Sequence, residues 1–139
     1  MAENLLAADS SVAVPLVLAN HPDLEIIAAW ARDKPKLYLS GHALAETYSI
    51  ITRLRVPFRV SAEVARSVID ASFAGTIYPK ASTLRKLHRI FAEVGISEGA
   101  VYDGLVALAA LDNGATLVTR DIRASATYDA LGVTTEIIP

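Results

Sequence analysis

Fifteen acids occur in the sequence, and four of them stand where a carboxylate is expensive. Asp9 closes the apolar start of LLAADSS, and Asp121 closes a second such run, ATLVTRD, two residues after the hydroxyl of Thr119. Apolar runs this short read as buried strands of a parallel sheet. In an open parallel sheet, ligands lie beyond the carboxyl ends of the strands, so both acids are aimed at one place. Asp103 lies within GAVYDGLVALAAL, a helical stretch apolar nearly all round, with Val106, Ala107 and Ala110 one and two turns further on. Glu46 shares a line on its own helix with Ile50 and Leu54, which puts it at the margin of a buried face. The other acids, among them Glu3, Asp23, Glu63 and Asp70, fall at termini, in helix first turns or on polar faces, and read as solvated charges.

An ionised carboxylate in such a position loses roughly several kcal/mol of hydration, comparable with the net stability of a domain, unless a cation or hydrogen bonds replace the water. Arginine is one source of compensation: Arg53, Arg55, Arg120 and Arg123 are each candidates to neutralise one acid. No arginine lies inside either strand, however, and carboxylates that converge stay ionised together only around a hard cation. Mg²⁺ and Mn²⁺ prefer oxygen ligands and keep several waters, so an open crevice with three or four carboxylates suits them. Zinc does not fit, because there is no cysteine and His21, His42 and His88 are scattered without ligand spacing. Ser10, Ser11 and Thr119 have no histidine placed to activate them, and hydroxyls beside acids serve instead to orient carboxylates or hold a metal-bound water. No GxGxxG and no GKT or GKS is present to cradle a nucleotide.

The elements that must position these residues alternate in type. Strands are expected at the Asp9 run, at 36–40, 76–78, 115–119 and 133–138. Helices are expected at 12–19, 22–32, 43–55, 61–73, 84–94, 99–113 and 124–131. Ser61 is the predicted cap of its helix, Pro57 closes the one before, and Gly95 and Gly114 suit helix ends. This alternation predicts an α/β fold with a mainly parallel sheet covered on both faces. At 139 residues, 53% of them hydrophobic, the chain suits a single domain over 1–139 with one substantial core. No apolar run approaches a membrane span, and Asp9 interrupts the stretch where a signal core would continue, so a cytoplasmic protein is expected. The net charge of -2 gives no general affinity for nucleic acid, so any such binding needs a local basic patch or metal ions.

With these residues in view, the sequence resembles the PIN-domain ribonucleases, and among them the VapC toxins of bacterial toxin–antitoxin pairs. The resemblance covers nearly the whole chain. It rests on LLAADSS with Asp9, ALAETYSIITRL with Glu46, GAVYDGLVALAAL with Asp103 and LVTRD with Thr119 and Asp121, in that order. It implies a three-layer α/β/α sandwich, a homodimer, and an endoribonuclease dependent on Mg²⁺ or Mn²⁺. It also implies an RNA substrate and a VapB-like antitoxin that wraps the toxin and inserts a basic side chain among the acids.

Within that expectation, Asp9, Asp103 and Asp121 are the metal ligands, Glu46 binds through water or orients the nucleophile, and Ser10 and Thr119 support them. Metal ions so held lower the pKa of water and neutralise charge at a phosphodiester. An acidic pocket repels a phosphate chain, so flanking cations are needed: Arg53, Arg55 and Arg59 after the Glu46 helix, and Lys80, Arg85, Lys86 and Arg89 near the 84–94 helix. Arg85 and Arg89 are expected one turn apart on one face. The apolar residues of 12–19 and 22–32, Trp30 included, either face the core or line a groove for an amphipathic antitoxin helix. Two other classes compete: an inactive PIN-like binding module, and a receiver-like phosphoacceptor. The second is only loosely similar, because Asp9 is followed by serines rather than by an acid.

Overall fold

The structure, a computed structural model, describes residues 5–139; Glu3 and the start of the N-terminal stretch lie outside the described residues. Among the described residues, five strands form one sheet: β1 (Leu6–Ala8), β2 (Tyr38–Ser40), β3 (Thr76–Ile77), β4 (Thr116–Thr119) and β5 (Thr135–Ile137). Their order is β3-β2-β1-β4-β5, and every pairing is parallel. The strand at the centre is the first apolar run. Ala7 and Ala8 of β1 face Tyr38 and Leu39 of β2 on one side and Leu117 and Val118 of β4 on the other. Ala7, Ala8, Leu39, Leu117 and Val118 are wholly buried, as strands covered on both faces must be.

Connections leave β1 toward β2 and β3 on one side and return across the sheet to β4, so the order reverses between β1 and β4. A receiver-like domain instead places its first strand between the second and third. The topology therefore removes the phosphoacceptor alternative.

Eight helices cover the faces among the described residues: α1 (Ser10–Val17), α2 (Leu24–Ala31), α3 (Ala43–Thr52), α4 (Ala62–Ser72), α5 (Ala81–Arg85), α6 (Leu87–Val94), α7 (Ala100–Asp112) and α8 (Ile122–Ala130). α1 packs against α2, α3 and α4, while α7 packs against α8, β2 and β4. The result is the three-layer α/β/α arrangement. Gly41, at a φ of +53°, makes the turn from β2 into α3; a Cβ there would lie 3.1 Å from that of Ala109, so this glycine lets α3 start close against α7.

Several boundaries differ from the sequence reading for identifiable reasons. α1 begins at Ser10, two residues before the expected start, because Asp9 is its cap, accepting from the Ser11 amide. Pro15 consequently lies in the second turn, where its missing N–H leaves the Ser11 carbonyl without its i+4 helical donor. α8 likewise begins two residues early, capped by Asp121. Ser61 caps α4 and Gly95 ends α6 in the left-handed region, as predicted. The expected 84–94 helix is two helices broken at Lys86, whose φ of -115° is not helical. Arg85 and Arg89 therefore belong to different helices, and the expectation that they share one helical face is corrected. Trp30 packs on the main core with the Lys34 ammonium over its ring, 4.4 Å from the centroid, which accounts for one apolar residue of the second helix.

α7 approaches α6 through a glycine. A Cβ on Gly104 would fall 2.6 Å from the Cζ of Phe91, which is itself buried against Ile96 and Leu108. Gly104→Ala should therefore destabilise the protein by about 1–2 kcal/mol despite alanine's better helix propensity, because the buried ring has to move. Urea denaturation checks this; an unchanged or raised midpoint would mean that the ring moves aside freely.

Candidate active site

β1 and β4 end side by side, and their last residues are laced together by polar side chains. Asp9, one residue past β1 and only 4% exposed, is the centre of the lacing. Its Oδ1 accepts from the Ser11 amide at 3.0 Å and from the Ser11 Oγ at 2.5 Å. Its Oδ2 accepts from the Thr119 hydroxyl at 2.5 Å and from the Tyr128 hydroxyl at 2.8 Å. Four donors therefore converge on this one carboxylate. The network continues outward: the Arg120 amide donates to Ser11 Oγ at 2.8 Å, and the Asp121 amide donates to Thr119 Oγ1 at 3.0 Å. The sequence TRD after β4 is therefore gripped at two consecutive amides by the hydroxyls that hold Asp9.

The other three acids arrive on helix starts. Glu46 and Asp103 stand in the first turns of α3 and α7, and Asp121 caps α8, its Oδ1 accepting from the Arg123 and Ala124 amides. Carboxylates are favoured near helix N-termini by the backbone dipole. Ser40, at the end of β2, donates to the carbonyl of Val106 at 2.7 Å and pins α7 over that end of the sheet. All four acids thereby come to the carboxyl edge at the point where the strand order reverses.

The acids also act on one another's charge there. Burial pushes the Asp9 carboxyl up, with the hydrogen bonds from Ser11, Thr119 and Tyr128 opposing. Burial also raises Glu46, where the His42 charge opposes and the Asp9 charge adds. Asp103 is raised by burial and then by the charges of Glu46, Asp121 and Asp9, with only Arg123 opposing. Burial and the Asp9 charge push the Tyr128 hydroxyl far up, so it stays protonated and donates. Among the described residues, none of the four acids has an ion-pair partner within 4.0 Å. Arg120, a candidate neutraliser, is spent elsewhere: it pairs with Asp23 at 3.0 Å and donates to the Pro139 carbonyl at 3.1 Å.

The donor set fits a hard divalent ion in chemistry: four carboxylates and several hydroxyls, no thiol, and no guanidinium among them. The fit is loose in spacing. Among the described residues, no three acids or histidines stand close enough to hold an ion between them as placed. The expectation of tightly gathered acids is corrected to this extent, since Asp9 is drawn down into its hydroxyl network while Asp103 and Glu46 stay half-buried at the rim.

The four acids named from the sequence reach one end of the sheet, and of the two supporting hydroxyls Thr119 holds Asp9 while Ser10 does not. Ser11, not Ser10, holds Asp9; Ser10 reaches Glu46 at 3.5 Å, a marginal hydrogen bond. Tyr128 was missed, although a tyrosine on the inner face of an amphipathic helix needs a partner for its hydroxyl. His42 and Tyr102 were missed as a pair: their rings stack at 5.0 Å between centroids and 24° between planes, joining the α3 start to α7. Arg53 lies in a depression with Glu46, Arg55 lines a different groove, and Arg85 and Arg89 are exposed on α5 and α6.

Residues 7–130 match the family described as PIN domain. The chain is 43% identical over 128 residues to Ribonuclease VapC27 of Mycobacterium tuberculosis, a match spanning 92% of this chain and 93% of that one. Its fold is similar to that of FitAcB from Neisseria gonorrhoeae (TM-score 0.64, 18% identity, 94% of this chain and 96% of that one). It is also similar to VapBC2 from Rickettsia felis bound to a DNA fragment from their promoter (TM-score 0.65, 16% identity, 96% and 98%).

An acid raised in the folded chain binds its proton more tightly folded than unfolded. Its contribution to stability is then lost as pH climbs from the ordinary carboxylate value, about 4, through the raised folded value. Removing the Asp103 charge should accordingly raise the melting temperature of the protein in EDTA at pH 7 by roughly 2–4 °C in Asp103→Asn, with the difference vanishing below about pH 4. A lower melting temperature for Asp103→Asn at pH 7 would contradict the reading of Asp103 as an uncompensated charge.

Proposed function

This chain belongs to the PIN-domain family, and from that premise we propose that it is a metal-dependent endoribonuclease toxin held inactive by a cognate antitoxin. The observation that carries the reading is the meeting of Asp9, Glu46, Asp103 and Asp121 at one sheet edge with no guanidinium paired to any of them. The similarity to a ribonuclease across almost the full length supports it. An inactive binding module would have no reason to keep four mutually repelling acids together at a cost in stability.

Asp9, Asp103 and Asp121 would hold Mg²⁺ or Mn²⁺, with Glu46 beside them. The ion supplies Lewis-acid stabilisation of negative charge on a phosphodiester and acidifies water at neutral pH. The chain's own residues do the rest. Ser11, Thr119 and Tyr128 fix the Asp9 carboxylate so that it does not have to be ordered when substrate arrives. Glu46, raised by burial and by Asp9, is poised to accept or hold a proton from the attacking water. Attack by water does not require the 2′-hydroxyl, so preference for RNA comes from contacts outside the acids.

The antitoxin partner is supported by an apolar groove of about 670 Å³ between the α1–α2 turn and the α3–α4 connection. Leu18, Pro22, Leu54, Phe58 and Val64 line it, and Arg55 and Arg59 stand at its rim. Such a groove suits the apolar face of an amphipathic helix. Expected of the same family resemblance are a homodimer and action in the cytoplasm.

Purified protein incubated with structured RNAs should cleave them in Mg²⁺ or Mn²⁺ and not in EDTA. Asp103→Asn and Asp9→Ala should each lower the rate by roughly a hundredfold or more. Circular dichroism would separate lost chemistry from lost fold in Asp9→Ala, where four hydrogen bonds disappear. Undiminished cleavage in either folded variant would contradict the assignment.

A further inference from the structure

The two helices that carry Glu46 and Asp103 also carry the His42–Tyr102 stack. His42 precedes Glu46 by one helical turn, and Tyr102 is the immediate neighbour of Asp103. The stack therefore spans the same gap as the two acids. Tyr102 is 54% exposed, so much of its ring is open to solvent although it stacks on the His42 imidazole. A ring that served only to fill the core would not be left this open.

The surface beside the stack has the parts that a nucleotide needs. An open depression of about 280 Å³ runs along α3 from His42 past Glu46 and Ser49 to Arg53. The His42 imidazole lies at one end, the acid in the middle and a guanidinium at the other, two turns beyond the acid, and Tyr102 joins this depression through its stack on His42. Single-stranded RNA is recognised by stacking splayed bases on tyrosine and histidine rings while cations track the phosphates. Stacking is available to any base, and it works on an unpaired strand only.

We propose that the His42–Tyr102 stack is a platform for an unpaired nucleobase of single-stranded RNA, setting which nucleotide lies next to the acids while Arg53 meets the backbone beyond. The proposal rests on the endoribonuclease reading and adds how that substrate is seated. Tyr102 and His42 are in this account substrate-positioning residues, acting on binding and not on the chemical step.

Tyr102→Ala, Tyr102→Phe and His42→Ala are compared with the parent protein on a single-stranded RNA in Mn²⁺. A stacked base is worth enough that Tyr102→Ala should raise KM about tenfold or more, with kcat within roughly threefold, and Tyr102→Phe should restore KM because the ring face is what matters. In Ca²⁺ in place of Mn²⁺, RNA oligomers carrying 2-aminopurine at successive positions should show quenching at one position with the parent and with Tyr102→Phe, and none with Tyr102→Ala. His42→Ala should weaken the quenching by loosening the tyrosine. An unchanged KM and unchanged quenching in Tyr102→Ala overturn the platform. So does a defect shared equally by Tyr102→Phe, or one that tracks a changed sedimentation coefficient, which would assign the rings to a protein interface. If the parent itself cleaves nothing, the nuclease reading fails on its own, and the quenching still reports whether a base stacks there.

Discussion

A single buried carboxylate is what the end of this sheet is built around. Asp9 is nearly inaccessible and carries or shares a charge at the place where two central strands stop, and burial alone would drive it toward the neutral form. Four donors from three separate parts of the chain oppose that tendency. Ser11 comes from the first turn of α1, Thr119 from the last residue of β4, and Tyr128 from the inner face of α8. Because Ser11 and Thr119 in turn accept from the Arg120 and Asp121 amides, the position of Asp121 follows from that of Asp9. A loss at the centre would be felt at α8, the helix that starts three residues past β4.

Around this fixed point the remaining acids are left comparatively free. Glu46 receives only the marginal contact from Ser10, and among the described residues nothing donates a hydrogen bond to Asp103. Both are raised by burial and by neighbouring negative charge. One acid is firmly anchored and two are loosely held, the pattern expected of a site that trades stability for function. The same division explains why α3 and α7 matter as carriers. Gly41 lets the start of α3 approach α7, Ser40 fixes α7 over the sheet end, and the His42 and Tyr102 rings stack across the two helix starts.

Much of this was legible before any coordinates. Apolar runs of strand length that end on Asp9 and Asp121 mark buried strands with acids at their carboxyl ends, because nothing else tolerates that composition on both faces. An acid inside a helix apolar all round, as at Asp103, has to be either paired or functional. What stayed hidden depends on contacts between distant segments. No local pattern tells that Ser11 rather than Ser10 turns toward Asp9, that Tyr128 reaches it from 119 residues away, or that His42 meets Tyr102. The break at Lys86 has no glycine or proline to announce it, and it separated two arginines that an unbroken helix would have put together. Asp9 and Asp121 as helix caps were readable in principle, since aspartate just before a helix is a strong start signal, but their placement at strand ends drew the interpretation away from it.

The central claim is that these acids are gathered without a paired cation for the sake of a divalent ion. Crystals soaked in Mn²⁺ and measured at a wavelength where manganese scatters anomalously test it most directly. The account predicts a difference peak within ligand distance of Asp9 and of at least one of Glu46, Asp103 and Asp121, with the half-buried side chains turned toward it. No peak there at a saturating Mn²⁺ concentration, or a lysine or arginine found among the carboxylates instead, would contradict it.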